Sequence, residues 1–373
     1  IRIPLSEVFK NEPFDTRKPL YVRRKGASTY TKVYLRDILD KYEYKGDDLG
    51  VKFREDGISI KVWSPVASRA EVIIYEDYDS FLKSKLNGQA VEMDYDENTG
   101  IYSALIDKEN RDRYYIFRFH FGDSVVRYAV DPYANSVGMN GIVGALTDID
   151  MEDTKPLGYE YDKRPIFKNP EDAIIYEMHV RDFTIDRTWG GRPELAGKYL
   201  GVVEEETKVN YKGKEYATGF DHLKDLGITH VHFLPTYDFS STDESRARDK
   251  DVRNWGYDPE NYNVPEGSYS MNPKNPKSRI IEYRKMVMKL HKAGIRVIND
   301  VVYNHMASTE NMDCIVPGYY FRSKRDGSYS DDSACGNAVE SRRPMIRKFI
   351  IDSLKRWIKD YRTDGFRFDL MAI

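Results

Sequence analysis

Two charged residues near the end of the chain are the strongest candidates for chemistry. The segment GFRFDL at 365–370 is typical of a short strand, in which side chains alternate between two faces. Arg367 and Asp369 therefore share one face, and the apolar residues share the other. An inward guanidinium and carboxylate are costly to bury unless they pair or serve a site. We therefore predict that Asp369 is a carboxylate nucleophile that Arg367 keeps ionised; a purely structural ion pair is the alternative.

A second group of polar residues follows another strand-like run, in DVVYNH at 300–305. Asp300 lies in the run, and Asn304 and His305 lie in the loop after it. A histidine beside an aspartate and an asparagine at a strand end indicates a donor to the hydroxyl groups of a bound sugar. No metal is predicted, because no second histidine or cysteine stands at zinc-ligand spacing.

The third candidate is an aromatic loop, NWGYDP at 254–259. Trp255 and Tyr257 flank a glycine in a rigid turn, and Asn254 and Asp258 add polar groups. Such a loop over a catalytic face offers a stacking platform for a ring. A packed surface loop is the other interpretation.

Parallel strands and helices must position these groups. After Pro165, helical periods alternate with short β-branched runs, which is typical of β/α units around a parallel sheet. We predict four strands, within AIIYEMHVRDF, ITHVHFLP, IRVINDVV and GFRFDL, with helices between them. Catalytic groups of such barrels lie at the carboxyl ends of the strands. Residues 166–373 are therefore predicted to be the first half of a (β/α)8 TIM barrel.

The preceding residues follow a different pattern. From 46 to 165, short alternating runs are separated by Asn, Asp, Gly and Pro, which predicts an antiparallel β-sandwich. Residues 1–45 are charged and tyrosine-rich and are predicted to be a small β extension. The chain is therefore expected to be a multi-domain protein.

Four barrel strands leave the last one without a neighbour. An open, apolar edge is unfavourable, so we expect the C-terminal half of the barrel to follow in the same chain or to come from a second chain. A monomeric species whose intact mass is 43.5 kDa would contradict this expectation.

Composition narrows the class of partner. The 61 acidic residues nearly balance the 58 basic ones, which disfavours nucleic acid and anionic membranes. No apolar run reaches the roughly 20 residues of a membrane span, and the first ten residues lack a signal peptide's apolar stretch. Only two cysteines are present, so a cytoplasmic location is expected. A secreted or cell-surface location is the alternative if a leader was removed before Ile1.

These motifs together resemble a known family. DVVYNH and GFRFDLM resemble the first and second signature regions of the alpha-amylase family of glycoside hydrolases (family 13), and NWGYDP resembles the loop of type I pullulanases. Similarity extends to YAVDPYA, IIYEMHVRDFT, and CGN followed by SRRPM. The sandwich resembles the family 48 type of starch-binding module, whose usual start is similar to GDDLG at 46–50.

The resemblance implies roles for individual residues. Asp369 is expected to be the nucleophile and Arg367 its partner, whereas Tyr257 is expected to stack on the glucose before the cleaved bond. Arg253 stands where the pullulanase loop usually carries tyrosine, which weakens the distinction from related debranching enzymes. The substrate-binding residues implied by the resemblance are Tyr257, His305, Asp300, Asn304, Trp255, Asp258 and Met371.

The implied reaction is the retaining hydrolysis of alpha-1,6-glucosidic bonds in pullulan, amylopectin or limit dextrins. In the family, the acid/base glutamate and a transition-state-stabilising aspartate follow later strands, so residues 1–373 alone are expected to be inactive. An isoamylase-type or glycogen-debranching hydrolase and a non-catalytic alpha-glucan-binding protein are the alternatives. The expected partner is an alpha-glucan.

No cofactor is required for this chemistry, and the sequence does not indicate a structural calcium ion. The acidic run DESRARDKD at 243–251 lacks ordered ligand spacing and is interpreted as a solvated loop.

Overall fold

The computed structural model describes residues 14–246 and 254–371. An N-terminal segment is followed by two packed antiparallel sheets and then by a four-stranded parallel sheet with helices between its strands. The expected fold class is confirmed. Within the described ranges, no helix combines the length and apolar character that a membrane span requires.

The N-terminal segment is short and joins the two larger parts. Strands β1 (Tyr21–Val22) and β2 (Thr31–Lys32) form an antiparallel pair, and a 3-10 helix follows at Arg36–Tyr42. Leu39 of this helix is buried in the core of the sandwich. Residues 1–13 of the predicted β extension lie outside the described ranges.

Polar contacts of this 3-10 helix reach both larger parts. The Asp40 carboxylate accepts hydrogen bonds from the Tyr319 hydroxyl at 2.8 Å and from the Arg343 guanidinium at 3.1 Å. The Trp63 indole of the sandwich donates to the Tyr42 carbonyl at 2.9 Å. The segment is therefore hydrogen-bonded both to the sandwich and to the part of the protein that contains the parallel sheet.

The sandwich consists of two antiparallel sheets with strand orders β3-β4-β8-β7 and β11-β12-β9-β5-β6, with β10 paired to β9. β-branched and aromatic residues fill its central strands, which are buried along almost their whole length. The strands are β3 Gly50–Arg54, β4 Gly57–Trp63, β5 Arg69–Tyr75, β6 Gln89–Glu92, β7 Asp94–Asp96, β8 Ile101–Ile106, β9 Tyr114–His120, β10 Val126–Ala129, β11 Ser136–Val137 and β12 Gly144–Ala145, and helix α1 is Tyr78–Lys83.

A parallel sheet with the order β13-β16-β19-β20 forms the second large part. Its two long helices begin with a proline in the first turn, where the missing N–H costs nothing. Gly294 ends the first of them with a positive φ of 81°, as glycine allows. The bounds are β13 Ile175–Met178, α3 Gly219–Leu226, β16 His230–Phe233, α4 Pro276–Lys292, β19 Arg296–Val301, α6 Pro344–Asp360 and β20 Gly365–Phe368.

Loops at the carboxyl ends of these strands carry further small elements. The connection from β16 to α4 contains an antiparallel pair, and the connection from β13 to α3 contains another. These elements are α2 Tyr199–Val202, β14 Lys208–Tyr211, β15 Lys214–Ala217, β17 Tyr237–Phe239, β18 Pro259–Pro265 and α5 Glu310–Ile315.

Both edge strands of the parallel sheet pair on one side only within the described residues. Ile174 and Ile175 at the β13 edge, and Phe368 and Leu370 at the β20 edge, are exposed apolar residues.

Candidate active site

The candidate residues converge at the carboxyl ends of β19 and β20. Asp300 and Arg367 are direct neighbours in the parallel register. The Asp369 amide donates to the Val301 carbonyl at 3.0 Å, which extends the pairing beyond β20. As the alternation predicted, Arg367 and Asp369 project together, and Phe366 packs against the apolar cores.

One nitrogen of Arg367 bridges two carboxylates. Its Nη1 donates to Asp369 Oδ1 at 2.9 Å and lies 3.1 and 3.0 Å from the two oxygens of Asp300. Burial lowers the pKa of the guanidinium, but the negative charge of Asp300 and the bonds to both carboxylates outweigh it and raise that pKa. Arg367 is therefore a permanent cation between two acidic side chains.

Asp300 is the buried centre of this group, with 1% of its side chain exposed. The Tyr257 hydroxyl donates to Asp300 Oδ2 at 2.8 Å. Burial, together with this bond, raises the pKa of Tyr257 well above its ordinary value, so the hydroxyl keeps its proton. Asp300 thus fixes the position of the aromatic loop relative to Arg367.

Asn304 contacts Asp369 directly, and His305 contacts Asn304. Asn304 Nδ2 donates to the Asp369 carbonyl at 2.9 Å and to Asp369 Oδ2 at 3.1 Å. His305 is buried, with Nε2 at 2.8 Å from the Tyr257 carbonyl and Nδ1 hydrogen-bonded to Asn304 Oδ1. Both ring nitrogens therefore contact protein oxygens, and the predicted bond to a sugar hydroxyl requires one of these contacts to exchange.

A tight turn shapes the aromatic loop. Gly256 has a φ of 86°, and a Cβ there would lie 2.9 Å from Pro235 Cβ, so only glycine fits. Asn254 Oδ1 accepts from the Gly256 amide at 2.8 Å, and Asn254 Nδ2 donates to Asp258 Oδ1 at 2.9 Å. Asp258 Oδ2 accepts from the Ser241 amide at 2.6 Å. Asp258 is thus bonded to Asn254 of the loop and to Ser241, which precedes the loop.

Two predicted residues lie outside the hydrogen-bonded group. Trp255 is 55% exposed on the outer side of the loop, beside Asn254, Tyr257 and Asp258. Met371 is 77% exposed at the end of the described chain. Arg253, which departs from the family loop, lies outside the described residues.

A buried acidic cluster corrects one interpretation of the sequence. Glu244, assigned to a solvated loop with the run 243–251, is 3% exposed and lies with Asp238 and Glu266. The Arg279 guanidinium enters the cluster and donates to Asp238 at 2.8 Å and to Glu244 at 2.8 and 2.9 Å. Three carboxylates are a donor set for a metal ion, but here the cation is an arginine; sequence periodicity could not reveal this pairing.

The comparisons with known proteins agree with this architecture. Residues 48–134 match the family described as carbohydrate-binding module 48 (isoamylase N-terminal domain), and residues 217–316 match the alpha amylase catalytic domain. The second match includes β16, α4 and β19. Strand β19 carries Asp300, and the loop after it carries Asn304 and His305. Residues 217–316 therefore resemble part of the catalytic domain of the alpha-amylase family of glycoside hydrolases.

The individual relatives are more specific. The chain is 37% identical over 337 residues to the pullulanase of Bacillus subtilis (strain 168), covering 90% of this chain and 44% of that protein. Pullulanase 1, chloroplastic, of Arabidopsis thaliana is 34% identical, with 92% of this chain and 38% of that protein covered. The chain is thus a pullulanase-type homologue that spans less than half of these two relatives.

Solved structures of pullulanases are also similar to this chain. The Paenibacillus barengoltzii pullulanase, in complex with maltohexaose and alpha-cyclodextrin, is 43% identical with a TM-score of 0.83, covering 89% of this chain and 50% of that one. The Bacillus acidopullulyticus pullulanase is 35% identical with a TM-score of 0.87, covering 98% and 46%. The resemblance to type I pullulanases is therefore confirmed.

Proposed function

We propose that the protein cleaves alpha-1,6-glucosidic bonds at branch points of alpha-glucans with retention of configuration, and that Asp369 is its nucleophile. One observation carries this proposal. The Asp369 carboxylate directly follows β20, the fourth strand of the parallel sheet, and is held by Arg367 Nη1 at 2.9 Å and Asn304 Nδ2 at 3.1 Å. These two donors fix the position of the carboxylate, as attack on an anomeric carbon requires.

The proposed reaction has two displacements. The Asp369 carboxylate attacks the anomeric carbon while a carboxylic acid protonates the leaving oxygen, and water then releases the covalent glycosyl intermediate. Asp300 does not suit the acid role, because it is buried and its oxygens already accept from Tyr257 and Arg367. The family resemblance implies a glutamate after a later barrel strand, about 5 to 5.5 Å from the nucleophile. No cofactor takes part.

The proposed substrate class is the alpha-glucans. Pullulanases that resemble this chain were solved with maltohexaose, alpha-cyclodextrin and maltotetraose. At the candidate site, Tyr257 presents a half-buried ring whose hydroxyl is fixed by Asp300, which suits stacking on a glucose unit.

The test compares two carboxylate-to-amide substitutions, made in a protein that contains this chain and hydrolyses pullulan. Asp369→Asn removes the nucleophile, and we expect kcat to fall by about 10⁴-fold or more. A fluorinated alpha-glucosyl fluoride should label the peptide that contains Asp369, as mass spectrometry can show. Glu97→Gln, at an 82% exposed side chain, is the control and should leave kcat unchanged. A labelled peptide elsewhere, or a fully active Asp369→Asn, would refute the assignment.

An isoamylase-type hydrolase is the second candidate. Isoamylase 3, chloroplastic, of rice (Oryza sativa subsp. japonica) is 32% identical over 265 residues, which cover 65% of this chain. Relative rates on pullulan and glycogen separate the two functions, since a pullulanase should cut short maltotriosyl linkages well and an isoamylase should prefer glycogen.

A further inference from the structure

A row of side chains with alternating charge crosses all four strands of the parallel sheet. Glu177 of β13 neighbours His232 of β16, and Asp300 of β19 neighbours Arg367 of β20 in the strand register. His232 links the two pairs: its Nδ1 lies 3.2 Å from Glu177 Oε2, and its Nε2 lies 3.7 Å from Asp300 Oδ2. The row therefore reaches from the β13 edge of the sheet to the partner of Asp369.

The His232 side chain is buried, and its Nε2 has no hydrogen-bond partner among the described residues. A buried nitrogen without a partner is unfavourable. The distance of 3.7 Å to Asp300 is slightly too long for a hydrogen bond. The two atoms are close enough for an ionic contact but not for a direct hydrogen bond.

Both carboxylates beside His232 are satisfied by one form of the ring. A neutral imidazole has a single N–H, so it can donate to Glu177 or to Asp300 but not to both. The imidazolium has an N–H on each nitrogen and suits both. The charged and titratable groups around it are Glu177, Asp300, and, beyond Asp300, Arg367 and Tyr257.

We propose that His232 is a positioning residue for the active site. It holds the Asp300 carboxylate from the β16 side, and Asp300 in turn orients Tyr257 and Arg367, which contacts Asp369. In its effect on catalysis this inference rests on the proposed function. His232 touches neither the nucleophile nor a substrate, so it acts only through Asp300.

Two substitutions of His232 and one matched control test the proposal. His232→Leu keeps much of the volume but removes the donor, whereas His232→Gln keeps a donor without a charge. His230→Gln is the control, because His230 lies on the same strand and is equally buried at 7%, but contacts Thr229 and Phe167 instead. Melting temperatures identify any variant that is merely unfolded.

In pullulan hydrolysis, we expect His232→Leu to lower kcat by about 10- to 100-fold with KM within about twofold, because small misplacements of reacting groups have effects of this size. His232→Gln should recover at least about tenfold relative to His232→Leu, because it keeps a side-chain donor. His230→Gln should stay within about twofold of wild type. Equal losses in all three variants would show a structural role and overturn the proposal.

Crystal structures of wild type and His232→Leu separate this proposal from the proposed function. We expect the Asp300 carboxylate to rotate in the variant and the Tyr257 hydroxyl to lose its 2.8 Å contact. An Asp300 that keeps its wild-type position would overturn the positioning role even in an active enzyme. A rotated Asp300 in a protein that cleaves no alpha-1,6 bond would support the positioning role and reject the proposed function.

Discussion

The β-sandwich and the parallel sheet bury different kinds of side chain. The sandwich core consists of apolar residues from β4, β5, β8 and β9, and Glu71 and Asp131 are its buried carboxylates. The parallel sheet and its helices bury many ionisable groups. These include His179, Arg181, His230, His232, Asp238, Glu244, Glu266, Arg279, Glu282, Arg284, His291, Asp300 and His305.

This difference indicates which interactions stabilise each of the two parts. Apolar burial is non-directional and tolerates changes that conserve volume. A buried charge instead depends on a particular partner, and its removal leaves an uncompensated charge behind. Stability in the catalytic part should therefore respond to single charge changes and to pH, and stability in the sandwich should respond to volume. Peptide-resolved hydrogen exchange gives an unfolding free energy for each part separately.

The largest effect is expected from Arg279→Leu. Asp238 and Glu244 would remain buried without their cation, which costs about 3–5 kcal/mol of unfolding free energy. Hydrogen exchange of peptides from α4 and β17 measures this loss. Arg54→Leu, which breaks an exposed pair with Asp56 in the sandwich, is the control and should cost less than about 1 kcal/mol. Similar losses in both variants would remove the contrast between the two parts.

A pH-dependent effect is expected from His291→Gln. His291 is buried between the Asp162 and Asp364 carboxylates, each at 2.9 Å. Burial lowers the pKa of His291, but hydrogen bonds to the two carboxylates outweigh it, so the pKa is raised. A raised folded-state pKa stabilises the protein fully below the unfolded value of about 6.5, and this stabilisation is lost as pH rises through the folded value.

At pH 6, His291→Gln should therefore cost about 1.5–3 kcal/mol, the usual contribution of hydrogen bonds to a charged group. The difference between wild type and variant should shrink towards pH 9. Urea denaturation at several pH values measures it. Burial raises and His291 lowers the pKa of Asp162, with a net decrease, so acidification below about pH 4 should also weaken the network. A difference that does not change between pH 6 and 9 would contradict this account.

The smallest effect is expected from Ile60→Val in the sandwich. Ile60 is completely buried in β4, and the loss of one methyl group should cost about 0.5–1.5 kcal/mol. Because no ionisable group changes, the cost should be the same from pH 6 to pH 9. Hydrogen exchange of β4 peptides at both pH values tests this; a strong pH dependence would show that the sandwich is coupled to the charged part.

The sequence predicted the structural features that depend on residues close together in the chain. The period of two in β20 was enough to put Arg367 and Asp369 on one side of the sheet, and the helical periods located α3, α4 and α6. The partners of Asp300 were not predictable, because Tyr257 and Arg367 lie 43 and 67 positions away. The register of β19 and β20 places Arg367 beside Asp300, and the aromatic loop brings the Tyr257 hydroxyl to the same carboxylate.

Charge patterns in the sequence were a weaker guide. Glu244 stands in a run of charged residues that is typical of solvated loops, but its buried partner Arg279 follows 35 positions later. His305 was expected to face a ligand, and its ring nitrogens contact Asn304 and Tyr257. For Glu244, a long-range contact that no local pattern encodes determines the environment of the side chain. For His305, one contact is with the adjacent Asn304 and the other is with Tyr257, 48 positions away, and its role towards a ligand stays a prediction.

The 3-10 helix at Arg36–Tyr42 has a consequence for long polymers. Through Asp40 it is bonded to Tyr319 and Arg343, and the Tyr42 carbonyl accepts from Trp63 of the sandwich. With this helix bonded to both sides, the sandwich and the parallel-sheet part are joined by hydrogen bonds as well as by the chain itself. Under the proposed function, a glucan strand that contacts both parts would span a distance set by the protein rather than by a flexible tether.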